Sequence, residues 1–485
     1  MADIKVRSIK FNFIMNITLK VSALIFPLIT LPYITRVLGA TGNGKVAFAI
    51  SIVSYFSMFA QLGIPTYGIR VCAQKRENKE ELTKTVHELL LLNIISATIS
   101  YIMLFCCIIF IPTFQENKIL ILINSVSIFL NMIGIDWFYQ ATEQYRYITI
   151  RNLVFKSLGV IFMFLLIHNS EDYIIYGALT VLSSAGSNIF NIIHSRKYLI
   201  NKKFEKYNLR QHLKPIFYFF SVSVAVSIYT NMDTVMLGFM NTDQQVGFYN
   251  IATKIKMLLI TMITALGSVL LPRISYYLSQ GNKKQFYYLL TKSLHFMLIL
   301  VLPITTFFVL FSRDIIYILG GDKYAPAIMT MRIILFTLLP MGLGNIACIQ
   351  ILAPLGMEKY TMYSTIMGAI LNLFINWFLI PKYGANGAAL ATVFAEFIVA
   401  ILQIYYTRQY FKIIIKRIKF LKIIIANLIN LLILIVLFNI LDFMPIINIC
   451  IAVLIMFIEY GVILYIFKDN IVYGYGKNIL SRLFK

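Results

Sequence analysis

The stretch NIATKIKMLLITMITALGSVLLP, residues 250–272, is long enough to cross a bilayer, since a membrane helix needs about 20 mostly apolar residues. It nevertheless carries Lys254 and Lys256 among isoleucines, leucines and methionines. A cation at the centre of a membrane helix costs roughly 2.5–3.5 kcal/mol on insertion scales, so its retention asks for a reason. Blocks of similar length recur along the chain, at about 11–35, 46–66, 86–111, 119–138, 149–168, 173–194, 215–238, 248–271, 292–311, 326–350, 362–380, 386–407, 422–441 and 446–467. Composition agrees: of 485 residues 59% are hydrophobic and only 13% charged, against about 25% charged in an average soluble chain. The expected fold class is an all-α polytopic membrane protein with about 14 transmembrane helices.

The net charge is +23. On a soluble surface that would point to nucleic acid, but here the basic residues sit in short loops between apolar blocks, so no nucleic-acid partner is expected. With the N-terminus inside and strict alternation, most of the 43 Lys and Arg fall in inside segments. This bias puts both termini in the cytoplasm. The first block follows MADIKVRSIK and is longer than a signal-peptide core, so it reads as a retained span. The two largest basic loops, 194–214 and 407–422, divide the spans as six, six and two. The expected organisation is a six-helix lobe over 1–200, a second over 201–412, and two further helices with a cytoplasmic tail over 413–485. RVLGATGNGKVAFA (36–49) and VMLGFMNTDQQVGFY (235–249) echo one another after spans 1 and 7, as parallel repeats would. Cys72, Cys106, Cys107, Cys348 and Cys450 have neither metal-ligand spacing nor a disulfide framework and read as buried apolar residues.

The basic residues left within spans are Lys20, Lys156, Lys254, Lys256 and Arg332. Helical phase separates them. Asn250, Lys254, Met257, Thr261, Thr264 and Ser268 form one polar stripe, with Lys256 almost opposite beside Ile260 and Ile263. Asn12, Asn16, Lys20, Ala23, Pro27 and Thr30 share a face of span 1, and Lys20 lies near mid-membrane, where snorkelling is hardest. Pro27 and Pro32 favour a bend just beyond it. Lys156 and Arg332 read as interface anchors and secondary site candidates, with Asn16 and Asn250. Glu396 shares a face with Thr392 and Gln403, and Asp233 lies toward the outer end of span 7. Either is a protonation or cation site, a countercharge to a lysine, or a buried structural carboxyl, the last being the favoured reading for Asp233. Asp136 and Glu459 are the other acids at or within spans, and Glu459 reads as a structural carboxyl. Buried lysines match an anionic ligand such as a phosphate or pyrophosphate, with Lys20 and Lys254 as its receivers.

No GxxxxGK[ST], HExxH, GxSxG or TVGYG motif is present, and the outer loops are short, so ATP-driven transport, hydrolysis and a potassium-type filter are not expected. No metal or cofactor is called for beyond an H⁺ or Na⁺ coupling ion.

Four segments carry a family resemblance. They are FPLITLPYITRVLGATGNGKVAFA (26–49), IDWFYQATEQYRYITIRNLVFK (135–156), NMDTVMLGFMNTDQQVGFYNIATKI (231–255) and PKYGANGAALATVFAE (381–396). In order and at these spans, they resemble the O-antigen and capsule repeat-unit flippases (Wzx-type) of the multidrug/oligosaccharidyl-lipid/polysaccharide exporter superfamily. The resemblance implies a MATE-like fold, with two six-helix lobes around a central cavity and two extra C-terminal helices. It implies a non-enzymatic, alternating-access transporter in the bacterial cytoplasmic membrane. Its partners would be an undecaprenyl-pyrophosphate-linked glycan, membrane lipids, and the polysaccharide polymerase and chain-length machinery. Flippases of lipid II carry several arginines in their first spans, whereas only Lys20 lies well inside spans 1 and 2 here. A drug antiporter of the same superfamily would want interior carboxylates without mid-membrane lysines. A glycan-assembly enzyme would want larger outer loops, and a scaffold would leave the buried lysines without purpose.

Overall fold

The apolar blocks fold as helices throughout. The structure, a computed structural model, describes residues 9–200, 202, 204–440, 444–469 and 471–474. The principal helices are α1 (Ile9–Gln61), α2 (Ile64–Gln74), α3 (Lys79–Phe110), α4 (Lys118–Gly134), α5 (Tyr145–Leu166), α6 (Tyr173–Ala185), α7 (Ile189–Ser195), α8 (Arg210–Met240), α9 (Asp243–Ser279), α10 (Lys283–Leu310), α11 (Ala327–Ile334), α12 (Leu338–Asn345), α13 (Glu358–Tyr383), α14 (Ala385–Tyr406), α15 (Phe420–Ile440) and α16 (Pro445–Ile466). Thirteen stretches among the described residues are long and apolar enough to cross a membrane. The first, Ile14–Gln74, holds two of the expected spans, so the expected number of about fourteen stands.

Those two spans differ from expectation in their junction. Residues 36–45 are not a loop: helix runs up to and away from Gly39, whose φ of 66° and ψ of −177° break α1 at one residue. A side chain there would be strained, which is why Leu-Gly marks the turn. The α13–α14 hairpin is as tight. Gly384 takes φ 54°, and a Cβ on Gly387 would stand 2.3 Å from the Leu379 carbonyl oxygen. The PKYGANGAA segment is thus a backbone-on-backbone corner.

Helix ends follow ordinary capping chemistry. The Asn78 side chain accepts from the Glu80 and Glu81 amides, and both acids lie in the first turn of α3, where the helix dipole favours them. Asn282 caps α10 through the Gln285 amide.

The chain forms two compact units, Met1–Gly247 and Phe248–Lys485. In the first, α1 packs against α3, α4, α5, α6 and α8. The two echoing segments meet there: Cβ atoms on Gly44 and Gly247 would stand 1.8 and 2.0 Å from the Asp243 and Ala40 carbonyl oxygens, and Phe48 lies flat against Gly238. A buried polar cluster fixes the start of α8. Glu88 and His212 are each 1% exposed, with His212 Nε2 2.9 Å from Glu88 Oε2 and Nδ1 2.8 Å from Tyr67 Oη. Glu88 also accepts from the Asn208 amide at 2.8 Å and from Gln211 Nε2 at 3.1 Å. Every polar atom of that carboxylate is therefore answered, as burial requires.

In the second unit, α13 pairs with α14, α15 with α16, and α10 packs on α15. His295 Nε2 lies 2.7 Å from Asp469 Oδ2, tying the segment after α16 to α10. Large apolar side chains such as Ile109 and Phe110 remain exposed on the helices, the pattern that lipid satisfies. Cys106 and Cys450 belong to that exposed surface. Their expected burial is corrected, because an apolar helix face turned to lipid keeps a thiol as readily as a core does.

Candidate functional site

Within the first unit α1, α4, α6 and α8 enclose a cavity of about 720 Å³. That is within the roughly 300–1,000 Å³ of ordinary ligand pockets. Its polar wall comes from Ser54, Ser57 and Gln61 on α1, Thr66 on α2, Asn124, Ser127 and Asn131 on α4, Thr180 and Ser184 on α6, and Ser223, Ser227 and Thr230 on α8. Among the described residues, no charged one lines it. The hydroxyls are parked on their own helices. Ser54 donates to the Ile50 carbonyl at 2.7 Å, Ser184 to Thr180 at 2.7 Å, Ser223 to Phe219 at 3.1 Å and Thr230 to Val226 at 2.9 Å. Each such oxygen keeps its lone pairs for an incoming donor. Gln61 Nε2 reaches Ser57 Oγ, and Asn188 Nδ2 reaches Asn131 Oδ1, which holds those amides in place. Such a wall suits a neutral ligand rich in hydroxyls.

The residues singled out by sequence lie elsewhere. The Lys20 side chain lies outside the described residues. Its helical neighbours Ala23 and Pro27 are exposed, Asn16 is half-buried, and Asn12 is buried and donates to Glu143 at 3.1 Å. Lys156 is held against α1. Its Nζ donates to Ser22 Oγ at 3.2 Å, two residues from Lys20 on α1. Lys254 belongs to the second unit. It is half-buried on a stripe that becomes exposed at Met257 and Thr261, whereas Lys256 is only 8% exposed beside buried Ile260 and Ile263. Neither lysine makes an ion pair among the described residues. Asn250 is half-buried, with a buried Oδ1 that has no hydrogen-bond partner among the described residues. Arg332 Nε donates to Ser312 Oγ at 2.8 Å.

Asp233 on α8 is 6% exposed and engaged with other groups. Glu396 on α14 is equally buried and engaged, and its expected face with Thr392 and Gln403 is buried as a whole. Thr392 Oγ1 lies 3.0 Å from Tyr249 Oη. Both carboxylate oxygens of Glu459 are buried without a hydrogen-bond partner among the described residues.

The cavity itself was not singled out by sequence, although a signal exists. Ser54, Ser57 and Gln61 fall at i, i+3 and i+7; Asn124, Ser127 and Asn131 repeat that spacing; Ser223, Ser227 and Thr230 fall at i, i+4 and i+7. Small polar residues on one face of several apolar spans are the mark of a shared polar interior.

Over residues 9–278 the chain matches the family described as "Polysaccharide biosynthesis protein", and over residues 220–378 the family described as MatE. An Escherichia coli protein provisionally named an O-antigen transporter is 22% identical over 404 residues, covering 83% of this chain and 97% of that protein. A Haloferax volcanii protein provisionally named a low-salt glycan biosynthesis flippase is 24% identical over 204 residues, 41% of this chain and 43% of that one. Among solved structures, the lipid II flippase MurJ in an inward closed conformation matches with a TM-score of 0.77 over 95% of this chain and 100% of that chain. The identity is 18%, so this is a likeness of fold.

Proposed function

The chain belongs to the polysaccharide biosynthesis protein family, within the superfamily that also holds the MATE transporters, and from that premise we propose that it is a flippase for a lipid-linked glycan. Its substrate is an undecaprenyl-pyrophosphate-linked oligosaccharide repeat unit, moved from the inner to the outer leaflet of the cytoplasmic membrane by alternating access and without a catalytic step. The observation that carries this is the 720 Å³ cavity walled by hydroxyls and amides and free of charge, set in a unit built of membrane helices. Sugars bring many donors and acceptors and no charge to such a wall; their charge sits on the pyrophosphate.

Lys20 and Lys254 receive that pyrophosphate, with Asn16, Asn250, Lys156 and Arg332 as secondary contacts. Glu396 and Asp233 serve as countercharges or as H⁺ or Na⁺ coupling sites. Moving the anion outward is favoured by an inside-negative potential, by about 2.3 kcal/mol per charge per 100 mV. Both termini lie in the cytoplasm, and the polymerase and chain-length machinery take up the flipped unit.

The test places the purified full chain in liposomes with a polyprenyl-pyrophosphate oligosaccharide in the inner leaflet and follows sugar exposure with an impermeant lectin. The chain should raise the exposure rate at least tenfold, and Ser57→Phe with Ser227→Phe, which fill the cavity, should abolish the gain while the protein stays folded. Equal rates with and without the protein would overturn the proposal.

A further inference from the structure

The aromatic segment 135–156 builds a second cavity that the glycan reading leaves unused. This cavity, about 620 Å³, lies between the N-terminal part of α5 and the end of α7. Arg146, Arg151 and Lys197 line it together with His194, and no carboxylate among the described residues does. Arg151 is the unusual member. Its side chain is 5% exposed, and one nitrogen, Nη2, binds Asp136 Oδ1 at 2.8 Å. Its Nε and Nη1 are buried with no hydrogen-bond partner among the described residues. The buried Tyr147 hydroxyl lies against the same guanidinium. Arg151 thus lines the cavity with a side chain whose buried donors are unanswered, and a buried donor left unpaired costs about 1–3 kcal/mol, more when charged.

The surrounding groups hold the guanidinium in place. Tyr147 and His194 stack with centroids 3.9 Å apart and planes 11° apart, and Arg151 Cζ lies 5.7 Å from the Tyr147 ring. Asn191 Nδ2 donates to Asp136 Oδ1 at 2.9 Å, so the carboxylate that pairs with Arg151 is itself fixed. One side of the cavity is apolar and open. Ile150, Phe190 and Ile193 are 48%, 51% and 59% exposed.

We propose that this cavity binds the phosphate headgroup of an anionic lipid, with Arg151 as the buried receiver, Arg146 and Lys197 as outer charges, and Ile150, Phe190 and Ile193 against the lipid's chains. The Arg151 guanidinium has N–H donors beyond the one given to Asp136, and charged N–H groups are strong partners for phosphate oxygens. The cavity lies at the end of the helices that carries the basic loops, the cytoplasmic end by the positive-inside rule, where basic pockets between membrane helices take headgroups. The inference does not depend on what the first cavity transports.

The experiment is native mass spectrometry of the full chain released from neutral detergent. It is titrated separately with dioctanoyl phosphatidylglycerol, dioctanoyl phosphatidylcholine, a polyprenyl pyrophosphate and inorganic phosphate. Phosphatidylglycerol should bind at least tenfold more tightly than phosphatidylcholine. That preference should vanish in Arg151→Met and in the double variant Arg146→Gln with Lys197→Gln, which leaves the Arg151–Asp136 pair intact if Arg151→Met fails to fold. Binding of polyprenyl pyrophosphate alone, lost in the same variants, would confirm the site and assign its lipid to the isoprenoid class. Binding of inorganic phosphate but neither anionic lipid, or unchanged lipid preference in the double variant, would overturn the proposal.

Discussion

Replacing Ser54, Ser223 and Thr230 by Ala, Ala and Val strips three hydroxyls from facing walls of the 720 Å³ cavity and changes its shape little. In the empty protein each hydroxyl donates to a carbonyl of its own helix, at 2.7, 3.1 and 2.9 Å. Those carbonyls belong to regular helix, and back-bonded Ser and Thr slightly destabilise helices, so stability should hold or rise by a few tenths of a kcal/mol. With a glycan in place, each hydroxyl oxygen loses one net hydrogen bond of about 1 kcal/mol. The sum, about 3 kcal/mol, corresponds to roughly a 150-fold loss of affinity at tenfold per 1.4 kcal/mol. The assay is complementation of a deletion strain under a titratable promoter, with surface polysaccharide and membrane-protein abundance measured in the same cells. At limiting expression the triple variant should fall well below a tenth of wild-type export at unchanged abundance. Export within twofold of wild type at equal, limiting abundance would refute the assignment of this cavity to the sugar path.

Three further outcomes follow from particular contacts. Glu88→Ala takes the carboxylate away from His212 Nε2, Gln211 Nε2 and the Asn208 amide in a buried site and should cost about 3–5 kcal/mol, on the order of 10 °C in thermal midpoint by detergent-solubilised fluorescence; Glu88→Gln, which still accepts, should lose less than half of that. Lys20→Ala and Lys254→Ala should each lower export without lowering protein level, whereas Lys412→Ala, in the short basic helix Arg408–Lys416 after α14, should do neither. Asp469 should show a pH signature. Burial alone would raise its carboxyl, but the His295 contact and two backbone amides outweigh that and hold it below the ordinary carboxylate range. A depressed carboxyl stabilises fully above its unfolded value of about 3.9 and loses that contribution as pH falls through the folded value. The extra protease resistance of wild type over Asp469→Asn, at the segment after α16, should therefore hold above about pH 4 and close below it.

Much of the fold was legible because lipid imposes length. About 20 apolar residues per crossing and the bias of Lys and Arg to alternate loops leave few ways to thread the chain. The Gly39 break was legible only as a Leu-Gly motif, because one residue in a left-handed conformation can redirect a helix without any polar loop. The candidate site was less legible, for a physical reason. A lysine in an apolar span stands out singly, whereas a serine in one does not, since it satisfies itself on its own helix. Ser54, Asn131 and Thr230 acquire meaning only when α1, α4 and α8 are packed together. Lys156 shows the converse: its position suggested an interface, and only the packing of α5 on α1 turns it toward Ser22.

The central claim is that this chain carries lipid-linked glycan between leaflets, and the most direct measurement is the leaflet occupied by that lipid in cells lacking the chain. Completed, unpolymerised repeat units should accumulate on the cytoplasmic leaflet, inaccessible to an impermeant lectin in spheroplasts and accessible in inside-out vesicles, and restoring the wild-type chain should release them. Repeat units found at normal density on the outer leaflet, merely unpolymerised, would contradict the account and place the chain in the step that follows translocation.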